Sequence, residues 1–372
     1  MTRSRASRIA AVAVVAAMAA GMCTALVAAG GSASALPTFS FDRVAGSDRY
    51  ATSVQVSTAY GDTTTAILVN GSPGNYADAL SATYLSGARN APILLTRKGY
   101  TPKSVQARLK SSGVKTIVIV GGTGVVAKKQ AEALRSAGYT VSRIAGKNRY
   151  ATDAKVLASA GKASGSLGIV ATGQNFPDAL AAGPLAYGGR PLGLATQNGI
   201  ADDVVSAMKA AGVTEVLVMG GTQVVGAGVV ATLKSHGIDL AQRFAGSDRA
   251  ETSTLAATYA VQNLGFSRTA VDVASGYQKG YGADALAGGP LAGKQNRPLL
   301  ITKSVDQPGD SVLTWLQGNA LTLLQGSIFG GTGAVSADAA SQMEKAASGL
   351  SLPLPTLPPL PLPTVGPILP LP

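Results

Sequence analysis

RVAGSDRYAT, residues 43–52, returns as RIAGKNRYAT at 143–152 and as RFAGSDRAET at 243–252. The opening arginines at 43, 143 and 243 therefore set a period of 100 residues. Two further signatures keep phase with it. A D-A-L triplet stands at Asp78, Asp178 and Asp284, and a G-G-T triplet starts at Gly121, Gly220 and Gly330, each after an apolar run. Three signatures in one order, each present three times, define one module used three times. The boundaries read from them are 36–142, 143–242 and 243–349.

Within the first module short apolar runs alternate with small-residue helical stretches. Ile67-Leu68-Val69 precedes a turn at 70–74 and a helix over about 76–87. A buried strand over 92–96, a helix over 103–110 and a strand over 116–120 lead to the G-G-T turn. A helix over about 125–137 stops at Gly138, a residue suited to a helix C-terminus. The chain then enters the next opening motif. Continuous apolar strands alternating with helices predict a parallel sheet covered on both faces. A period of 100 is too long for one rung of a solenoid, where repeats run to about 50 residues, so each copy is a small α/β domain. In the third copy the opening arginine and the D-A-L aspartate, Arg243 and Asp284, are 41 apart, against 35 in the other two. The third copy is also followed by no R-x-A-G segment. If that segment completes each sheet, the copy at Arg43 has to serve the third module and close a ring; the sequence leaves this open.

The two ends are of another character. Arg3, Arg5 and Arg8, an apolar stretch to about Ala29 and Ala33-Ser34-Ala35 are read as an export signal over 1–35, cleaved before Leu36. An uncleaved anchor is the rival, since the stretch approaches spanning length. The only cysteine, Cys23, lies in this signal, so no disulfide is expected in the mature chain. Stability then falls to core burial, in keeping with 46% hydrophobic and 13% charged residues. Residues 350–372 are rich in proline and uncharged. Such a tail cannot cross a membrane as a helix and is read as extended, as a spacer, a wall-threading arm or a docking peptide for a partner. No membrane span is expected after signal cleavage.

Together R-[VIF]-A-G-x-x-R-x-x-T, the D-A-L segment, the PILLT run at 92–96 and the G-G-T turn resemble the cell wall binding repeat 2 family. The resemblance covers Phe41 to about Gly349. It implies Rossmann- or toprim-like α/β modules with parallel sheets, packed as an intramolecular pseudo-threefold trimer. It also implies noncovalent attachment of a surface protein to anionic wall polymers, of teichoic-acid-like or related kind. Family members usually carry a second, effector region, for which this sequence leaves no room.

Three sets of residues are candidates for ligand contact. Arg49, Arg149 and Arg249 follow a glycine turn, from which a guanidinium can project as a fork for phosphate or carboxylate. The competing reading is a pair with the D-A-L aspartate of the same module. Arg43, Arg143 and Arg243 lie beside the apolar strand and lean to a structural role. The resemblance associates the PILLT segment with polymer binding at module boundaries, which brings in Thr96, Thr196 and Thr302; the competing reading is a buried strand. The second copy reads PLGLAT at 191–196, with a glycine inserted. Asp48, Asn148 and Asp248 fit helix N-caps. The D-A-L aspartates fit the positive end of a helix. Ala250-Glu251 replaces the Tyr-Ala of the other copies, so that site should bind anions worst.

Residues 122–127 satisfy a G-x-G-x-x-A pattern, but no acidic residue follows about 20 positions on and Gln223 breaks it in the second copy, which disfavours a dinucleotide. One histidine, His236, cannot build a zinc or serine-triad site three times, so no metal, cofactor or enzymatic activity is expected. The net charge of +12 becomes +9 after residue 35, with 28 basic and 19 acidic residues. In an exported protein that points to an anionic envelope polymer rather than nucleic acid. A wall hydrolase such as an amidase and a structural envelope component are the alternatives from other classes.

Overall fold

The computed structural model describes residues 39–350 apart from Phe176 and residues 277–281. Residues 1–35, read from the sequence as an export signal, the proline-rich segment from 351 and part of the third copy's insertion lie outside the described residues. Three parallel four-stranded sheets make up the described chain. The first holds β2 (Thr65–Asn70), β3 (Ile93–Thr96), β4 (Thr116–Val120) and β5 (Thr140–Ile144) in the order β3-β2-β4-β5. The second repeats it with β6 (Leu167–Thr172), β7 (Leu192–Ala195), β8 (Glu215–Met219) and β9 (Asp239–Phe244) as β7-β6-β8-β9. In the third, β10 (Ala270–Ser275), β11 (Leu299–Thr302) and β12 (Gln325–Phe329) take their fourth strand from the start of the described chain, β1 (Phe41–Val44). Arg43 pairs with Ile328 in that ladder as Arg143 pairs with Ile119 in the first. The ring is closed by the first copy serving the third module.

The opening motif thus straddles two modules. Its R-x-A-G half is the edge strand of one sheet. Its second half begins a helix that packs under the following sheet: α1 (Arg49–Tyr60), α5 (Arg149–Ala160) and α10 (Arg249–Asn263). Asp48, Asn148 and Asp248 cap these helices, accepting from the amides of Ala51, Ala151 and Glu251 at 2.8, 2.9 and 3.0 Å. That satisfies one of the free N–H groups at each helix start.

The D-A-L segments form α2 (Ala77–Arg89), the short pair α6 (Pro177–Leu180) and α7 (Gly183–Tyr187), and α11 (Ala283–Lys294). These meet one another at the centre of the molecule. Their faces are mostly Ala, Gly and Ser because the backbones nearly touch: a Cβ on Gly87 would lie 2.0 Å from the Tyr187 carbonyl oxygen. One polar cluster joins all three modules, with Tyr60 and Tyr187 hydroxyls 2.7 Å apart and Lys294 Nζ donating to the Tyr60 carbonyl at 2.9 Å. The remaining helices, α3 (Lys103–Ser111) and α4 (Lys128–Ser136), α8 (Asp202–Ala211) and α9 (Ala227–Ser235), α12 (Asp310–Gly318) and α13 (Ala337–Ala347), complete the modules pairwise. No described helix is long and apolar enough to cross a membrane.

The interface of the first and second modules carries a fully buried carboxylate. Asp153 on α5 is fully buried and accepts from Ser81 Oγ of the first module and from the Leu194 amide, both at 2.7 Å. In the other copies the position is Ser53 or Ser253, whose hydroxyls take the corresponding Leu95 and Ile301 amides. Burial raises the Asp153 carboxyl to about 7, and Asp272 and Asp284 to about 6. An unfolded aspartate titrates near 3.9. Between about pH 4 and pH 7 the folded chain therefore holds protons that the unfolded chain releases, so stability rises as pH falls through this window. Thermal unfolding should occur at higher temperature at pH 5 than at pH 8, and Asp153→Ser should narrow the difference. Deleting residues 39–44 should speed amide exchange along β12 by about tenfold or more while leaving β4 and β8 unchanged, since only the third sheet loses its edge strand.

Candidate functional site

Arg43, Arg143 and Arg243 point from the edge strands to the G-G-T turns. Their guanidinium groups donate to the carbonyls of Gly330, Gly121 and Gly220 at 2.8, 2.6 and 2.9 Å, and Arg243 also reaches the Val225 carbonyl at 2.8 Å. Each arginine is half-buried and fixes the turn that ends the neighbouring strand. The turn glycines Gly121, Gly220 and Gly330 have φ of 118°, 100° and 112°, the region that favours glycine. The D-A-L carboxylates lie against them: a Cβ on Gly121 would sit 2.6 Å from Asp78 Oδ2.

Arg49, Arg149 and Arg249 donate from the first helical turn to the carbonyls of Gly71, Gly173 and Gly276, beyond the first strand of the same module. Their acidic neighbours are not in the same module, where the competing reading of the sequence had them. Arg149 faces Asp78, Arg249 faces Asp178 and Arg49 faces Asp284, always across the boundary to the preceding module of the ring. The reason is the straddling motif, which brings each of these arginines to the end of the previous sheet. Burial raises all three carboxyls above the usual range; the facing arginine opposes the shift in each, and the hydroxyls of Thr252 and Thr52 do so for Asp178 and Asp284.

Two of these boundaries hold a cleft. Between the first and second modules about 380 Å³ is lined by Asp78, the turn Gly122-Thr123-Gly124, and Lys147, Asn148, Arg149 and Thr152. On its other side Arg149 lines a second space of about 510 Å³ with Tyr76, Gly173 and Gln174. Between the second and third modules the corresponding cleft, about 540 Å³, is lined by Asp178, the turn 221–223, and Ser247, Asp248 and Arg249. Arg149 is exposed, whereas Arg249 is half-buried. The amides of Gly122, Thr123 and Gly124 donate to no protein acceptor among the described residues, so the first cleft presents N–H groups together with two cations. In the second, Asp248 replaces Asn148 and Ser247 replaces Lys147. Glu251 folds back on Ser247, accepting from its amide and hydroxyl at 2.7 Å.

The threonines are placed differently. Thr96 and Thr302 end β3 and β11 fully buried, their hydroxyls donating to the carbonyls of Tyr100 and Ser304 at 3.1 and 3.0 Å. In the second module Ala195, not Thr196, pairs with the end of β6, as Thr96 pairs with Asn70 in the first. The inserted glycine carries Thr196 one residue past the strand, where its hydroxyl donates to Gly199 at 2.9 Å. Thr152, Thr123 and Lys147 line the cleft and were not singled out in the sequence. Setting K-N beside S-D in the aligned motifs was the available signal for Lys147.

Three tandem α/β modules with a repeated boundary cleft define a repeat-built binding module. The chain belongs to the Cell wall binding domain 2 (CWB2) family, which matches residues 43–131, 143–230 and 243–340. It is 34% identical over 85% of its length to the N-acetylmuramoyl-L-alanine amidase LytC of Bacillus subtilis, and 30% identical over 72% to the Amidase enhancer of the same organism. It spans 60% and 35% of the lengths of these two relatives. The structure of Cwp8 from Clostridium difficile superposes with a TM-score of 0.72 at 23% identity, over 84% of this chain and 52% of Cwp8, and shares its fold.

Proposed function

We propose that this chain holds a secreted protein on the bacterial cell wall by gripping an anionic secondary wall polymer in the clefts between its modules. The carrying observation is the first cleft, where exposed Arg149, Lys147 and three free backbone amides line one opening. Arg49 and Arg249 take the same role at the other boundaries. An exposed ion pair contributes only about 0.2–1 kcal/mol, so one cleft is a weak site. Three on one rigid body facing a repeating polymer raise avidity by roughly 10²–10⁴. The nearby aspartates favour a polymer whose charges are spaced, so that one phosphate meets the cations of each boundary and neutral stretches pass the carboxylates.

The amidase activity named for LytC is not carried over, since the match leaves two fifths of that protein unaccounted for. His236, the only histidine, is exposed at a helix end with Nδ1 2.8 Å from the Thr232 carbonyl, which favours a binding role for this chain.

Retention on purified walls should fall steeply between 0.05 and 0.5 M salt, order-of-magnitude bounds set by screening lengths of roughly 15 to 4 Å. Arg149→Ala should weaken it about two- to fivefold and Arg249→Ala less, because the second cleft is more acidic. Walls stripped of secondary polymers should retain neither variant nor parent. Salt-independent retention would overturn the electrostatic grip.

A further inference from the structure

The three modules are alike in fold but not in charge. Residues 36–142 carry 12 basic and 5 acidic side chains, residues 143–242 carry 8 and 6, and residues 243–349 carry 8 and 8. Most of the net charge of the repeats, +7 of +9, therefore sits on the first module. Much of it lies on one helix pair. Helices α3 and α4 bear Lys103, Arg108, Lys110, Lys128, Lys129 and Arg135 against Glu132 alone. The matching pair α8 and α9 balances Lys209 and Lys234 against Asp202 and Asp203. In α12 and α13 the acids Asp310, Asp338 and Glu344 outnumber Lys345.

Between α3 and α4 runs a groove of about 760 Å³ that shares no residue with the boundary clefts. Tyr100, 57% exposed, and the half-buried Tyr139 supply aromatic surface. Lys110 and Lys129 are exposed at its rim, and Gln130 donates to Thr101 Oγ1 at 2.8 Å to give it a polar floor. Counted from the G-G-T turn, the second module has Ile200, Gly228, Val229 and Ile238 where the first has Thr101, Lys129, Gln130 and Tyr139. Ile200, Val229 and Ile238 are buried. Of the two rim lysines only Lys110 has a counterpart there, Lys209; the rest of the seam is apolar in the second module, and its aromatic, polar and second cationic groups belong to the first.

Such a lining selects among ligands. A bare polyanion uses the lysines but gains nothing from aromatic faces. An apolar peptide gains from the tyrosines but must desolvate the cations and the Gln130–Thr101 floor. A sugar ring that bears a negative group uses all three: its C–H face lies on tyrosine, its hydroxyls meet polar side chains and its charge meets lysine. We propose that the α3–α4 groove of the first module is a binding site for an anionic saccharide, independent of the boundary clefts and of the reading given to them. Arg97 adds a further cation, its guanidinium 5.8 Å from the Tyr100 ring centre.

The test uses residues 36–372 with three probes: short dextran sulfate, polyaspartate of equal charge and neutral dextran. Lys110→Glu/Lys129→Glu should lower dextran sulfate affinity by about fivefold or more, whereas Lys209→Glu, the matching residue of the second module, should change it less than about twofold. Tyr100→Ala should weaken dextran sulfate but not polyaspartate, and Tyr100→Phe should restore it. All four positions are exposed, and far-ultraviolet circular dichroism checks that the variants fold. A smaller loss in the double variant, equal effects of Lys209→Glu, equal weakening of polyaspartate by Tyr100→Ala, or neutral dextran binding as tightly as dextran sulfate would each overturn the assignment. Because Arg149 is untouched in these variants, unchanged wall retention beside lost dextran sulfate binding separates this site from the clefts.

Discussion

Each sheet in this protein ends on a strand that the chain reaches only on its way into the next module. Phe41–Val44 on β12, Thr140–Ile144 on β4 and Asp239–Phe244 on β8 are the same segment in three places. Backbone hydrogen bonds of a parallel ladder fix its register. A capped helix begins five residues after each such strand, so its position against the preceding sheet is fixed as well. Every other boundary feature follows. The first motif arginine reaches back to the G-G-T carbonyl and the second faces the previous D-A-L aspartate.

This welding also accounts for the composition of the centre. Helices that meet through Gly87, Gly183 and Gly289 make close backbone contact. Small residues alone would leave such a contact non-specific. The edge-strand exchange and the Tyr60–Tyr187–Lys294 cluster supply the orientation. Asp153 is a local variation on the same scheme, in which a carboxylate replaces a serine and reaches across to Ser81.

Much of this was legible in the sequence. The three-fold repetition, the strand runs at 93–96 and 116–120 and the caps at Asp48, Asn148 and Asp248 follow from local chemistry that needs no partner. The pairing of Arg149 with Asp78 rather than Asp178 did not, because a strict repeat gives the same spacing pattern whether a contact lies within a module or between neighbours. The exact place of Thr196 was not legible for a related reason: the inserted glycine is visible at 191–196, but only the ladder reveals that Ala195 ends the strand. The charged groove of the first module was hidden by counting charge over the whole chain, where the acidic helices α12 and α13 mask the basic α3 and α4.

The central claim is that a polymer is gripped where modules join. Backbone amide shifts of residues 36–372 titrated with a short anionic wall-polymer fragment test it most directly. The account predicts salt-sensitive shifts at Gly122, Thr123 and Gly124 and at Arg149, with smaller ones at 221–223. Binding that leaves both boundary turns unmoved would contradict it.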